Sequence, residues 1–516
     1  MKKIAFFLIS FICLYCTGQD NNILKTIKTG NSKALATMLA KENTVNNLFS
    51  GYTPLTYAVK IGANEELLDI LIRNGADVNL TNKGQKTPLM YAAKYKRNNL
   101  ILYLIKKGAD VNFQNKRNIT ALLYTVKYDN PEGFNKLLKL GANTNAKING
   151  SYTVLDYIKK ENLQKFLEIL GLPYELQLTT DGPYVFTHKD NYEVLSTFSG
   201  DKTAIRKSNI AKENAKIDVI VDNESNDTFS VALSTNFETP PTIYKEPKKL
   251  LVVSDIEGNF YALKKILEGT GVMNKDYQWT FGQGHLVLVG DFFDRGKNVT
   301  PVLWLIYELE RQAEEANGMV HFIIGNHEVM NIQGDYRYVQ QKYKNTALGL
   351  HKNLKDLYSE NTILGNWLTS KNCVEKIGDA IYVHGGLSKR LAEDNFTLEE
   401  MNTLARKYYR KPISEIKENK RARGVFSGNV GPLWYRGYFT EKLPQAEIDF
   451  ITDHYKANTI IVGHTPVKNI KKMYHNKIIA IDLKHPSKEK QGTVKALWKE
   501  GNTYYQIDEN GEKVKL

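Results

Sequence analysis

Five times between Lys248 and Pro466, a short apolar run stops abruptly at residues of the kind that bind metals or move protons. Leu250 to Val253 leads into Ser254-Asp255-Ile256-Glu257-Gly258-Asn259, and Leu286 to Val289 into Gly290-Asp291-Phe292-Phe293-Asp294-Arg295-Gly296. Val320 to Ile324 leads into Gly325-Asn326-His327-Glu328, Ile381 to Val383 into His384-Gly385-Gly386, and Ile460 to Val462 into Gly463-His464-Thr465-Pro466. Short apolar runs without polar alternation suit strands buried on both faces. Chemistry placed just past their ends is what open α/β sheets do, since ligands collect at the carboxyl edge of the strands.

In this order, the motifs resemble the calcineurin-like metallophosphoesterase superfamily over roughly Lys248 to Ile507. Asp294-Arg295-Gly296, Gly325-Asn326-His327-Glu328 and His384-Gly385-Gly386 resemble its phosphoprotein-phosphatase branch, and Gly431-Pro432-Leu433-Trp434-Tyr435-Arg436-Gly437 is similar to the Shewanella-like phosphatases within it. The resemblance implies two divalent metal ions. Asp255 and Asp291 would hold the first, Asp291 would bridge, and Asn326, His384 and His464 would complete the second. His327 would be the general acid, with Asp294 orienting its ring, and Arg295 and Arg436 would clamp the phosphate oxygens. The chemistry is sound on its own terms: two cations about 3.5–4 Å apart polarise a phosphate and activate a shared water, and a guanidinium offers a planar fork to phosphate oxygens.

Glu257 stands where these families usually have a histidine ligand. Either it ligates, making the first site all-oxygen and favouring Mn, Mg or Fe over Zn, or it points away and the site has decayed. Pro466 replaces the second histidine of the nuclease and diesterase branches, which together with the two arginines favours phosphate monoesters. The expected enzyme is a phosphatase acting by direct attack of a metal-activated water, with a phosphoprotein among its candidate substrates. The competing readings are a catalytically inactive binding platform, tethered through the N-terminal part of the chain, and a phosphodiesterase.

The N-terminal part has a period. Asn74-Gly75-Ala76-Asp77-Val78-Asn79 recurs at Lys107 to Asn112 and, weakened, at Leu140 to Asn145, with the glycines 33 residues apart. Thr53-Pro54-Leu55, Thr87-Pro88-Leu89, Thr120-Ala121-Leu122 and Thr153-Val154-Leu155 keep step. Threonine caps a helix, proline is tolerated in its first turn, and the later glycine ends the second helix at positive φ. The pattern resembles ankyrin repeats over residues 22–172. The resemblance implies an α-helical solenoid that either binds a protein partner or docks on its own catalytic domain. From 173 to 246 alternating stretches such as Tyr184 to Thr187 and Ile217 to Val221 suggest a small β module, and the α/β phosphoesterase domain fills 247–516 with central sheets packed between helices.

Residues 1–18 have the layout of a secretory signal peptide, with Lys2-Lys3, an apolar run from Ile4 to Tyr15 and a cut before Gln19. The run is shorter than the ~20 residues that span a bilayer. The expected location is therefore periplasmic or secreted, without a membrane span. Cys13 and Cys16 fall in that segment, so Cys373 has no disulfide partner and is expected to be an inert thiol. Of the net charge of +14, residues 19–172 carry 22 Lys and Arg against 12 Asp and Glu. These cations are mostly scattered singly and form no nucleic-acid-binding motif. Histidines outside the motifs (His188, His285, His321, His351, His454, His475 and His485) read as structural or surface residues. Asp482 ends an expected strand and reads either as an ordinary strand-end residue or as one that touches the site from behind its ligands, and the Tyr-rich stretch from Asp335 to Tyr343 is expected as a helical insertion roofing the pocket.

Overall fold

The computed structural model describes residues 23–41, 44–148, 152–161, 163–172, 178–199, 204–487 and 492–516, and the leader read at 1–18 lies outside them. The chain divides into two compact units, Met1–Glu175 and Leu176–Leu516.

In the first unit the four threonines cap their helices as expected. Their hydroxyls accept from the backbone N–H groups of Thr56, Met90, Leu123 and Asp156 at 3.0–3.2 Å. The first helices, Pro54–Ile61, Pro88–Lys94, Ala121–Lys127 and Val154–Lys160, pack each on the next. The second helices Asn98–Lys106, Pro131–Lys139 and Gln164–Ile169 form a layer behind them. Leu55, Leu89, Leu122, Leu68, Ile101 and Phe134 share one core that no single repeat could close. The asparagine ending each repeat signature stitches the layers. The Nδ2 groups of Asn79 and Asn112 donate to the Gly108 and Gly141 carbonyls one repeat on (3.0 and 3.1 Å), while their Oδ1 atoms accept from Asp110 and Asn143 (2.8 Å each).

The second unit is built on two six-stranded sheets. Lys249–Val253, His285–Val289 and Met319–Ile323 run parallel in one, and Ala380–Val383, Thr459–Val462 and Ile478–Ala480 run parallel in the other. Alternation along a strand decides the layers. Leu250, Val252, Val287 and Val289 meet Tyr382, Ile461 and Ile479 between the sheets, while Leu251, Val253, Leu286 and Leu288 join the cluster that holds the helices. The sheets therefore face each other inside an outer layer of helices, and all five motifs emerge at strand ends.

The β module expected at 173–246 does not stand apart. Its strands Asp181–Thr187, Asn191–Phe198, Ala204–Ala211, Lys216–Ile220 and Thr228–Ala232 send Tyr184, Phe186, Leu195, Val219 and Phe229 into the same core as the phosphoesterase helices. The Trp304 indole donates to the Pro183 carbonyl at 2.8 Å, and Glu308 accepts from the Ala232 N–H at 3.0 Å. Too few apolar residues lie between its short strands to close a core without helix Val299–Glu315. The insertion is also corrected in form: Asp335 to Gln340 is a loop, and the helix begins at Gln341. Among the described residues no helix is long and apolar enough to cross a membrane.

Candidate metal centre

The loops past the strands interlock through their backbones. The Asp255, Glu257 and Gly258 N–H groups donate to the Gly290, Asp291 and Phe292 carbonyls at 2.8–3.0 Å, and Gly463 donates to the His384 carbonyl at 3.0 Å. Asp255, Glu257, Asp291, Asp294, Arg295 and His464 all take positive φ, a costly conformation for residues that carry a Cβ.

At the centre, one Asp291 carboxylate oxygen lies 3.0 Å from His384 Nε2, and the other accepts from the His327 N–H at 2.9 Å. His384 Nδ1 donates to the Val289 carbonyl at 2.8 Å, which fixes the tautomer and leaves Nε2 facing Asp291 and the Asn326 carbonyl oxygen at 3.0 Å. Ligand atoms of Asp291, His384 and His464 all lie within 4.8 Å of one another. His464 Nε2 is buried and, among the described residues, has no hydrogen-bond partner, a cost that a cation bound there would remove. Burial works against charge on His384, yet the nearby Asp291 carboxylate pushes its pKa up to about 10. At His464, burial and the neighbouring His384 lower it to about 2.

Asp255 is buried; one of its oxygens bonds the Ser254 hydroxyl and accepts from the His464 N–H at 3.2 Å. Asp482 is buried too; burial and then the Asp482 carboxylate raise the pKa of Asp255, while burial and Asp291 raise that of Asp482, so Asp482 belongs beside the centre. Glu257 does not join the cluster of ligand atoms; its carboxylate is paired with Arg295. His327 Nδ1 meets Asp294 Oδ2 at 2.5 Å, and its Nε2 lies 3.7 Å from Asp291. Burial opposes charge on this ring, but Asp291 and Asp294 outweigh it and raise its pKa. Arg295 and Arg436 are exposed at the rim, with Arg436 reaching Thr465 and His464 Nδ1 at 3.4 Å each.

A calcineurin-like phosphoesterase family model matches residues 248–468, and an ankyrin-repeat model matches 12–115 and 59–148. The crystal structure of a cold-active protein-tyrosine phosphatase from a psychrophilic Shewanella species superposes with a TM-score of 0.59 at 35% identity, covering 66% of this chain and 99% of that one. The chain belongs to the calcineurin-like phosphoesterases. Shewanella-like protein phosphatase 2 of Arabidopsis thaliana is 28% identical over 48% of this chain and 74% of its own. Human serine/threonine-protein phosphatase 5 is 30% identical over 34% and 30%. The second unit is thus a phosphoesterase of the phosphatase type, preceded by ankyrin repeats.

Several residues that shape this phosphoesterase centre went unassigned at the level of sequence. The buried Glu328 carboxylate accepts from the N–H groups of Gly325, Asp291 and Phe292 at 2.7–3.0 Å, setting the Asp291 loop. Asn331 donates to Asp294 at 3.0 Å and so fixes the carboxylate that orients His327. Tyr338, in the loop expected as a roof, lies 5.1 Å from the His327 ring and 5.4 Å from the Arg295 guanidinium. Glu328 was visible as the last letter of its motif and Tyr338 lay in the Tyr-rich stretch expected as a roof; Asn331 had no signal. His485 donates to the Ser254 carbonyl at 3.0 Å, while His321 bridges His285 and Glu375 within the fold, a structural use of both rings. Cys373 is buried, and burial pushes its thiol up to about 12.

Proposed function

We propose that this phosphatase is a binuclear, metal-dependent phosphomonoesterase that acts on phosphorylated proteins. The unpartnered, buried Nε2 of His464 beside Asp291 and His384 is the observation that carries the metal reading. Asp255, Asp291, Asn326, His384 and His464 are the proposed ligands, and Mn, Mg or Fe suits an oxygen-rich first site better than Zn. Glu257 would add a carboxylate to that site only by releasing Arg295. Bound divalent ions supply Lewis acidity and a water acidic enough to attack near neutral pH.

The chain's own groups do the rest. Arg295 and Arg436 bind two non-reacting oxygens of a terminal phosphate, whose dianion suits two guanidinium forks. His327, kept protonated by Asp291 and Asp294, hands the proton on Nε2 to the departing oxygen, and Asp294 holds Nδ1–H so that Nε2 faces the reaction. Protein substrates are favoured by the similarity to protein phosphatases and by the repeat array. The signal-like leader adds the proposal of a periplasmic or secreted setting.

The test combines elemental analysis with turnover. The purified chain should hold two divalent ions and hydrolyse p-nitrophenyl phosphate well ahead of its bis-substituted analogue. His327→Asn should keep both ions and lose roughly 10²–10⁴-fold in kcat. Two ions without turnover would favour the inactive platform, and preference for the bis-substituted compound the diesterase.

A further inference from the structure

The first helices of the array repeat more than their caps. Tyr57, Tyr91, Tyr124 and Tyr157 occupy one position of the repeat, and Lys60, Lys94 and Lys127 follow three residues later. Within Pro54–Ile61, Pro88–Lys94 and Ala121–Lys127 there is no Asp or Glu. Carboxylates lie instead on second helices, as Glu65, Glu66, Asp69 and Glu132, or in the turns, as Asp77, Asp110 and Asp129, the last paired with Lys165.

Because each first helix packs on the next, these side chains form a stripe across three repeats. Tyr52 stands 5.9 Å from Tyr57 and 6.0 Å from Tyr91, and Tyr91 stacks on Tyr95 at 5.8 Å. The Lys94 ammonium lies between the rings of Tyr95 (5.2 Å) and Tyr128 (4.9 Å), and Tyr128 stacks on Tyr124 at 5.9 Å. Lys60 sits 4.3 Å from the Tyr52 ring centre and donates to its hydroxyl at 2.8 Å. Tyr95 and Tyr128 are each 38% exposed, well above what a core tyrosine shows. Among the described residues, Lys60, Lys94 and Lys127 have no carboxylate partner, whereas Lys107, Lys136 and Lys165 elsewhere in the array do.

We propose that this tyrosine–lysine stripe is a docking surface for an extended, acidic segment of a partner protein. The rings hold the Lys60 and Lys94 ammonium groups in place by cation–π attraction at little further entropic cost, so their positive charge is presented on a pre-set surface. A row of cations without anions leaves a field that only a negatively charged occupant satisfies. Tyr95 and Tyr128, seated on the buried rings of Tyr91 and Tyr124, give contact area to whatever apolar side chains alternate with the acidic ones. The inference does not rest on the reading of the metal centre.

Fluorescence anisotropy on the full chain tests it, using a labelled glutamate-rich peptide and its glutamine counterpart. The acidic peptide should bind about 10-fold or more tightly than the neutral one, and weaken as salt is raised. Lys60→Glu, Lys94→Glu and Lys127→Glu together should abolish that preference. Reversal of Lys33, Lys106 and Lys139, which changes net charge equally away from the stripe, should preserve it. If the triple variant fails to fold by circular dichroism, Tyr95→Ala with Tyr128→Ala should still weaken binding several-fold. Equal affinity for the two peptides, equal loss in both charge-reversal sets, or tighter binding of a single-stranded nucleic acid would each overturn the proposal.

Discussion

At their defining positions the two units handle left-handed backbone differently. In the array, the second helices run out at Gly75, Gly108, Gly141 and Gly171, where positive φ meets a residue with no Cβ to object. In the phosphoesterase unit, positive φ falls on Asp255, Glu257, Asp291, Asp294, Arg295 and His464, the side chains on which the chemistry depends. Each costs of order 1–3 kcal/mol, and glycine could not relieve it without deleting the functional group. The ends of the array's second helices avoid that cost, which Gln85, Lys96, Asn118 and Asp129 in its turns still carry singly, whereas the catalytic loops concentrate strain that a surrounding shell must hold. Glu328 and the interlocked loop backbones are that shell.

The largest effect should therefore come from crowding the shell. Gly325 has an ordinary negative φ, so alanine is conformationally acceptable there, but its methyl would meet an Asp291 carboxylate oxygen, the Asp291 nitrogen at 2.6 Å and Glu328 at 2.9 Å. Gly325→Ala should lower kcat/KM by about 10²-fold or more, since small displacements of positioned groups are that costly, and should reduce bound metal. Near-normal turnover of p-nitrophenyl phosphate would break the contrast between the units.

A buried polar joint in the array should act on stability alone. Asn130 donates to the Ala93 carbonyl at 3.0 Å and to Asn98 at 2.8 Å, and accepts from the Gly133 N–H at 2.9 Å, thus capping its own helix while tying it to the preceding repeat. Asn130→Ala should cost about 2 kcal/mol, one lost cap plus an orphaned carbonyl. Urea unfolding followed on the array's tyrosines would read that loss. A parallel fall in kcat would show that the strain of the centre is supported from the array as well.

The same contrast explains what was legible in the sequence. Thr53, Thr87 and Thr120 cap helices within three residues of themselves, and the five strand ends carry their ligands on adjacent residues, so both could be read from local order. What escaped was tertiary. Asn79 stitches to a glycine 29 residues on, and the β strands from Asp181 to Ala232 could be placed in the phosphoesterase core only once Trp304 and Glu308 were found against them. Glu257 looked like a substitute ligand because its neighbours in the chain said so; its pairing with Arg295 depends on how two loops cross. Asn331 is one helical turn from His327, but nothing in residue type marks it as the group that holds Asp294.

The smallest predicted change isolates the backbone cost in the array. Gly108 has φ +96° and nothing within 4 Å of where a Cβ would stand, so no contact is disturbed by a methyl group there. Gly108→Ala should cost only about 1 kcal/mol, the penalty of left-handed backbone for an L-residue. Gly108→Asn should cost less, because asparagine enters that region more readily. Both should leave kcat and metal content unchanged. If Gly108→Asn were the worse of the pair, or either lowered turnover, the penalty at Gly108 would not be a local backbone term, and the division between locally relieved and collectively held strain would fail where it is simplest to measure.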